Sequence, residues 1–188
     1  MTSILVVCTG NICRSPMAEG FLRAALQGRL GGGAPRIASA GIAGFEGSAA
    51  TSEAIEAAAE RGVDISGHVA RRLTPSMADE ADLVLCMASE HRDAIRYEQA
   101  TAGSKTFTLK ELTRLLEAAP DNGDVGARIA SAAARRSDAD PAPDADVADP
   151  LGMPMETYRE LARELEDWTR RLVLALYEPS PALTGPDR

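Results

Sequence analysis

The sequence predicts a single-domain α/β protein in which a parallel sheet is wrapped by helices, and three observations carry that. Strand-like apolar runs alternate with helical segments along the chain. The stretch Ala81 to Met87, ADLVLCM, is apolar almost throughout at strand length, as a strand covered on both faces requires. The 188 residues suffice for one ordinary core and fall short of two.

Taken in order, Ile4 to Val7 reads as the first strand, Pro16 to about Arg29 as a helix and Pro35 to Ala40 as the second strand. Thr51 caps an Ala- and Glu-rich helix that stops at Gly62. Thr74-Pro75 has the form of an N-cap followed by Pro at the first helical position. After the third strand, Ser89 to Tyr97 is helical, Thr106 to Thr108 is a short strand and Leu109 to Ala118 is helical. Between Pro120 and Ala148 the composition shifts to Ala, Asp, Pro and Gly, ending in SDADPAPDADVADP. That segment is expected to be a surface loop or partly disordered insertion holding a short helix at Val125 to Arg136. Tyr158, Leu161, Leu165, Trp168, Leu172 and Leu176 recur every three or four residues, which makes the last helix amphipathic. Pro179 ends it, and no repeat is present.

Composition narrows the function. Hydrophobic residues make up 45% and charged ones 26%, ordinary values for a globular protein. The net charge of -8 argues against nucleic acid or an anionic membrane as the partner, since such surfaces are met with a basic excess. The N-terminus has no basic leader, and no apolar run approaches the roughly 18 residues of a spanning helix, so the chain is expected in the cytoplasm. An odd set of three cysteines, Cys8, Cys13 and Cys86, fits a reducing compartment.

The stretch VCTGNICRSP, residues 7–16, carries the chemistry. A strand ending at Cys8 and a helix starting near Pro16 leave a loop at the carboxyl end of a strand, where open α/β sheets bind ligands. The compact residues Thr9, Gly10 and Asn11 allow successive N–H groups to turn inward as an anion nest at a helix N-terminus. Asn11 suits the positive φ such a loop demands. Arg14 adds a planar fork matched to two phosphate oxygens. The same field favours the ionised form of Cys8, and a thiolate beneath a phosphate is a nucleophile in position. C-x5-R alone does not establish this, because a cysteine at a strand end is most often a small buried hydrophobe. Cys8 and Cys13 do not have the spacing of a usual zinc pair, and no Cys/His cluster completes a tetrahedron, so no metal or cofactor is expected.

VCTGNICRSPMAE near the N-terminus, SAG at 39–41, HVAR at 68–71, ADLVLCM at 81–87, FTLKEL at 107–112 and DP at 149–150 occur in the order in which they stand in a known family. The chain resembles the low-molecular-weight protein tyrosine phosphatases, bacterial members in particular. The resemblance implies a four-stranded parallel sheet with helices on both faces, one domain over 1–178 interrupted by an insertion at about 120–146, and a disordered tail at 179–188. It implies a phosphocysteine mechanism without metal, acting on phosphorylated protein and releasing inorganic phosphate, in a monomer or weak dimer. Cys8 then resembles the nucleophile, Arg14 the transition-state clamp and Asp149 the general acid. Asp149 is preferred over Asp140 because it lies just before the last helix, whereas Asp138, Asp140, Asp144 and Asp146 read as a solvated acidic loop. Thr9, Gly10, Asn11, Ile12, Cys13 and Arg14 would bind the phosphate, with Asn11, Ser15, Ser39 and His68 supporting the loop. Cys13 is similar to a neighbouring cysteine that forms a reversible disulfide with the nucleophile. Cys86 packs, and His91 has no assigned role.

The resemblance departs in places. Many members follow the Asp-Pro with two aromatic residues that wall a slot for a phenyl ring, and here Leu151 and Gly152 follow. Related protein-arginine phosphatases carry Thr where this chain has Ile12, whose apolar surface favours a phosphotyrosine ring. Phe45 is a candidate replacement wall. An arsenate reductase needs two further cysteines, and beyond Cys86 there is Asp93 where a partner would fall. A non-catalytic phosphate-binding module is the remaining alternative, against which stands the presence of nucleophile, clamp and acid together.

Overall fold

Ile4, Leu5, Val6 and Val7 are all buried, and the strand that they form organises the molecule. The computed structural model describes residues 1–119, 123–136 and 144–177. Strands β1 (Ser3–Cys8), β2 (Arg36–Gly41), β3 (Leu83–Cys86) and β4 (Thr106–Thr108) form one parallel sheet in the order β2-β1-β3-β4. The helices are α1 (Arg14–Leu30), α2 (Ser52–Ala59), α3 (Pro75–Glu80), α4 (Ser89–Glu98), α5 (Leu109–Ala118), α6 (Val125–Ala134) and α7 (Met155–Tyr177).

Side chains along a strand alternate between faces, so a strand covered on both sides must be apolar at every position. Ile4, Val6 and Cys8 point into the larger core, with Met17 and Phe21 of α1, Leu112 of α5 and Leu161, Leu165 and Leu172 of α7. Leu5 and Val7 face the smaller one, with Val84, Cys86, Ala78 and Ile95. Each fully buried Leu, Ile or Val contributes about 1.5–3 kcal/mol of transfer free energy. α7 buries the six residues of its stripe against this surface. α5 starts with a capping box in which Thr108 Oγ1 accepts from Glu111 N at 3.1 Å and the Glu111 carboxylate accepts from Thr108 N at 3.0 Å.

Because the strands are parallel, Cys8, Gly41, Cys86 and Thr108 end on one edge of the sheet, and the loops that follow them converge there.

Several boundaries differ from the expected ones. α1 begins at Arg14, which puts Pro16 inside the first turn, where a missing N–H costs nothing. The third strand pairs only over Leu83–Cys86, because Ala81 caps α3 and the Asp82 carboxylate turns back to accept from Thr2 N and Ser3 N at 2.6 and 3.0 Å. Thr74 does not cap with its side chain, since its hydroxyl pairs with Ser76 Oγ at 3.0 Å. A 3-10 turn over Ala100–Lys105 had no sequence signal. The short helix of the insertion ends at Ala134, with Asp124 Oδ1 accepting from Ala127 N at 2.9 Å. Asp138, Asp140, Pro179 and the expected tail lie outside the described residues. Among the described residues no helix is long and apolar enough to cross a membrane.

Candidate active site

The loop between Cys8 and Arg14 is shaped by where its carbonyls go. The carbonyl of Cys8 accepts from Ile42 N at 2.9 Å, Thr9 from Ala43 N at 3.0 Å, Gly10 from Phe45 N at 3.0 Å and Ile12 from Thr51 N at 2.9 Å. The carbonyl of Asn11 accepts from His68 Nε2 at 2.7 Å, which places the hydrogen of that imidazole on Nε2. In a trans peptide the N–H points opposite to the C=O. Carbonyls drawn outward therefore turn the following amides inward, and an anion nest results. The loop lies flush against β2: a Cβ on Gly41 would sit 2.6 Å from the Thr9 carbonyl oxygen.

Asn11 is fully buried with φ of 58°, the left-handed region. Its side chain holds that strained turn through three bonds. Oδ1 accepts from Arg71 N at 2.9 Å, and Nδ2 donates to Ser15 Oγ at 2.9 Å and to Ser39 Oγ at 2.8 Å. Ser39 passes its own hydrogen to Glu19 Oε2 at 2.6 Å. With a lone pair of Ser15 taken by Asn11, the Ser15 hydroxyl hydrogen is free to point at Cys8 Sγ, 2.9 Å away. The amide of Asn11 donates to the same sulfur at 3.2 Å. Two polar groups thus converge on the sulfur.

Arg14, 4% exposed, reaches across the loop. Its Nη1 donates to the Val147 carbonyl at 3.2 Å, and its Nη2 donates to Thr9 Oγ1 at 3.1 Å and to Asp149 Oδ2. Asp149 is itself aimed by Leu151 N, which donates to its Oδ1 at 3.1 Å. Cys8, Arg14 and Asp149 meet in a slot of about 120 Å³ whose walls are Ile12, Phe45 and Leu151. Phe45 lies over Gly10, where a Cβ would come within 2.8 Å of the ring. A larger cavity of about 450 Å³ opens beside Glu19, Arg23 and His68 and has no thiol in its lining.

The residues expected in the phosphate loop and its support thus come together. Cys13 also lines the slot, and its Sγ lies 3.6 Å from Thr51 Oγ1 and 3.7 Å from Tyr158 Oη. Burial pushes its thiol up, the two hydroxyls opposing, and burial likewise pushes the Tyr158 phenol up to about 12. Cys86 is fully buried in β3, and burial pushes its thiol far above the ordinary range, in keeping with a packing role. Among the described residues no group of three or more His, Cys, Asp or Glu is placed to hold a metal ion.

Two residues make contacts that the sequence reading did not give them. Asp146 is exposed, as expected, and in addition accepts from Ser89 N and Ser89 Oγ, both at 2.7 Å, so that it caps α4 from a distant segment. With the Asp146 carbonyl accepting from Lys110 Nζ at 2.8 Å and Val147 N donating to the Met87 carbonyl at 2.7 Å, the segment that bears Asp149 is anchored to the sheet edge. Asp144 is exposed as expected and pairs with Arg114 at 2.6 Å. His91, given no role, is 2% exposed and its Nε2 lies 2.9 Å from Thr9 Oγ1. Burial holds its imidazole below the ordinary histidine value, and the neighbouring Arg14 cation adds to the effect. Nothing in the segment MASEHRD signals that contact, which depends on β1 and β3 being adjacent.

Comparison with known proteins bears on this geometry. A family profile described as low molecular weight phosphotyrosine protein phosphatase matches residues 3–125. A probable low molecular weight protein-tyrosine-phosphatase of Ralstonia solanacearum is 42% identical over 58% of this chain and 72% of its own length. A protein-arginine-phosphatase of Bacillus subtilis is 32% identical over 92% of this chain and 95% of its own. The crystal structure of an Erwinia amylovora tyrosine phosphatase superposes with a TM-score of 0.71 at 30% identity, covering 94% of this chain and 93% of that one.

Proposed function

Since the chain belongs to the low molecular weight phosphotyrosine protein phosphatase family, we propose that it hydrolyses phosphotyrosine in proteins through a phosphocysteine on Cys8. The observation that carries this is the convergence of the Asn11 amide and the Ser15 hydroxyl on Cys8 Sγ, in a slot shared with Arg14 and Asp149. The nest amides of residues 9–14 and the Arg14 guanidinium take the three non-bridging oxygens, the guanidinium exchanging the Asp149 carboxylate for them. The Cys8 thiolate attacks phosphorus in line, so that an S–P bond forms as the P–O bond to the tyrosine breaks. Asp149 gives its proton to the departing phenolic oxygen. Water then attacks phosphorus and loses its proton to the Asp149 carboxylate, the P–S bond breaks, and inorganic phosphate leaves. Charge that moves among the equatorial oxygens stays faced by fixed dipoles throughout. Asn11, Ser15, Ser39 and His68 hold the loop in register for both steps.

The apolar walls Ile12, Phe45 and Leu151 suit a flat phenyl ring. A protein-arginine phosphatase is the second reading, and the likeness to the Bacillus subtilis arginine phosphatase over nearly its full length favours it. The working unit is one domain over 1–178 with an insertion at about 120–146, a monomer or weak dimer acting in the cytoplasm, with no role for nucleic acid, membrane or metal. Turnover of matched phosphotyrosine and phosphoarginine peptides distinguishes the two substrates. Cys8→Ser is expected to abolish turnover while vanadate still binds, and a serine variant retaining substantial activity would overturn the phosphocysteine route.

A further inference from the structure

The histidine without a role in the sequence has a defined place in the loop's hydrogen bonding. His91 sits in the first turn of α4, buried, with Nε2 2.9 Å from Thr9 Oγ1. Thr9 Oγ1 in turn accepts from Arg14 Nη2 at 3.1 Å, and that nitrogen also donates to Asp149. The threonine hydroxyl has a single hydrogen. A neutral imidazole with its lone pair at Nε2 accepts it, which leaves the lone pairs of the hydroxyl for the guanidinium. The chain of bonds acquires one direction: Arg14 donates to Thr9, and Thr9 donates to His91.

We propose that His91 is a positioning residue for phosphoryl transfer: by fixing the direction of the Thr9 hydroxyl, it sets the orientation of the Arg14 guanidinium at the mouth of the nest. This rests on the phosphatase reading of the site. His91 touches none of the reacting atoms and acts through Thr9. Burial leaves it no water with which to trade this bond, and its Nδ1 has no partner among the described residues. The charged groups that face it are Arg14 from α1, Asp146 and Asp149 from the segment before α7, and Glu90 beside it on α4, whose exposed carboxylate is 3.5 Å from Nε2. Burial and Arg14 outweigh the three carboxylates, so the ring is neutral at pH 7. Once protonated, Nε2 becomes a donor, the Thr9 hydroxyl must reverse, and the ordered chain is lost.

The test is a double-mutant cycle with p-nitrophenyl phosphate, read as kcat and KM across pH. His91→Ala is expected to lower kcat about tenfold with KM within about twofold, the size of one hydrogen bond felt at the transition state. In a Thr9→Val background the same change should cost nothing further, because the intermediary is already gone. His91→Gln, whose amide oxygen accepts the same hydrogen, should restore most of kcat and erase an acid-side inflection present in the wild type. A cost that persists in the Thr9→Val background, or a His91→Ala enzyme equal to wild type, overturns the proposal. Should His91→Ala fail to fold, a folded His91→Gln whose pH profile matches the wild type overturns it instead. A wild-type protein without turnover would sink the phosphatase reading itself, an outcome distinct from either of these.

Discussion

Replacing Asn11 by Ala tests the construction of the phosphate loop most directly. The change removes three side-chain bonds, at 2.8 to 2.9 Å, from a fully buried position. Ser15 and Ser39 keep other partners in Cys8 and Glu19, so two of the three losses cost about 1 kcal/mol each, while Arg71 N–H loses its acceptor and costs roughly 1 kcal/mol or somewhat more. Alanine at φ of 58° lacks the tolerance of Asn for the left-handed region, which adds about 1 kcal/mol. The sum is about 4 kcal/mol, a large part of the roughly 5–15 kcal/mol that holds a domain together. Trp168 is the single tryptophan and lies at the α5–α7 contact, so its fluorescence reports global unfolding in urea. With a slope of about 2 kcal/mol per molar, the midpoint should fall by about 2 M. A shift below about 0.5 M would refute the reasoning, since it would mean that the three bonds do not hold the strained turn.

Three further outcomes are expected. Asp149→Asn should lower kcat by about 10²–10⁴-fold for phenyl phosphate and far less for p-nitrophenyl phosphate, whose leaving group needs little protonation; a Brønsted plot over substituted phenyl phosphates checks this. Stability should fall as pH drops below the ordinary histidine value of 6.5, because the unfolded chain protonates His91 before the native protein does and acid then favours unfolding. Urea midpoints between pH 7 and 5 should show that slope flattened in His91→Gln. After brief peroxide treatment the wild type should regain activity with dithiothreitol and Cys13→Ser should not, because Cys8 would lack a disulfide partner and climb to the sulfinic acid.

What was legible in the sequence was local or periodic. Cys8, Arg14 and the small residues between them lie within seven positions, and the nest that they form is a property of that short loop. The buried stripe of α7 repeats at helical spacing and was read directly. The Thr108–Glu111 box fixes the start of α5 from within four residues. What escaped reading depends on the order of strands in the sheet. Thr9 and His91 are 82 positions apart, and Ser89 and Asp146 are 57 apart. Thr9 meets His91 because β1 and β3 are neighbours, and Asp146 meets Ser89 because Val147 N bonds the Met87 carbonyl just past the end of β3, pairings that no residue near 91 or 146 encodes. The amides of Ile42, Ala43 and Phe45, which draw the loop's carbonyls outward, belong to a segment with no periodicity to reveal it.

The segment 144–149 is tied to several separate parts of the fold. Among the described residues, Arg114 holds Asp144, Lys110 and Ser89 hold Asp146, and Met87 and Arg14 hold Val147. The acid is located by these rivets, so a disturbance of α5 or of the end of β3 would be felt at the leaving group.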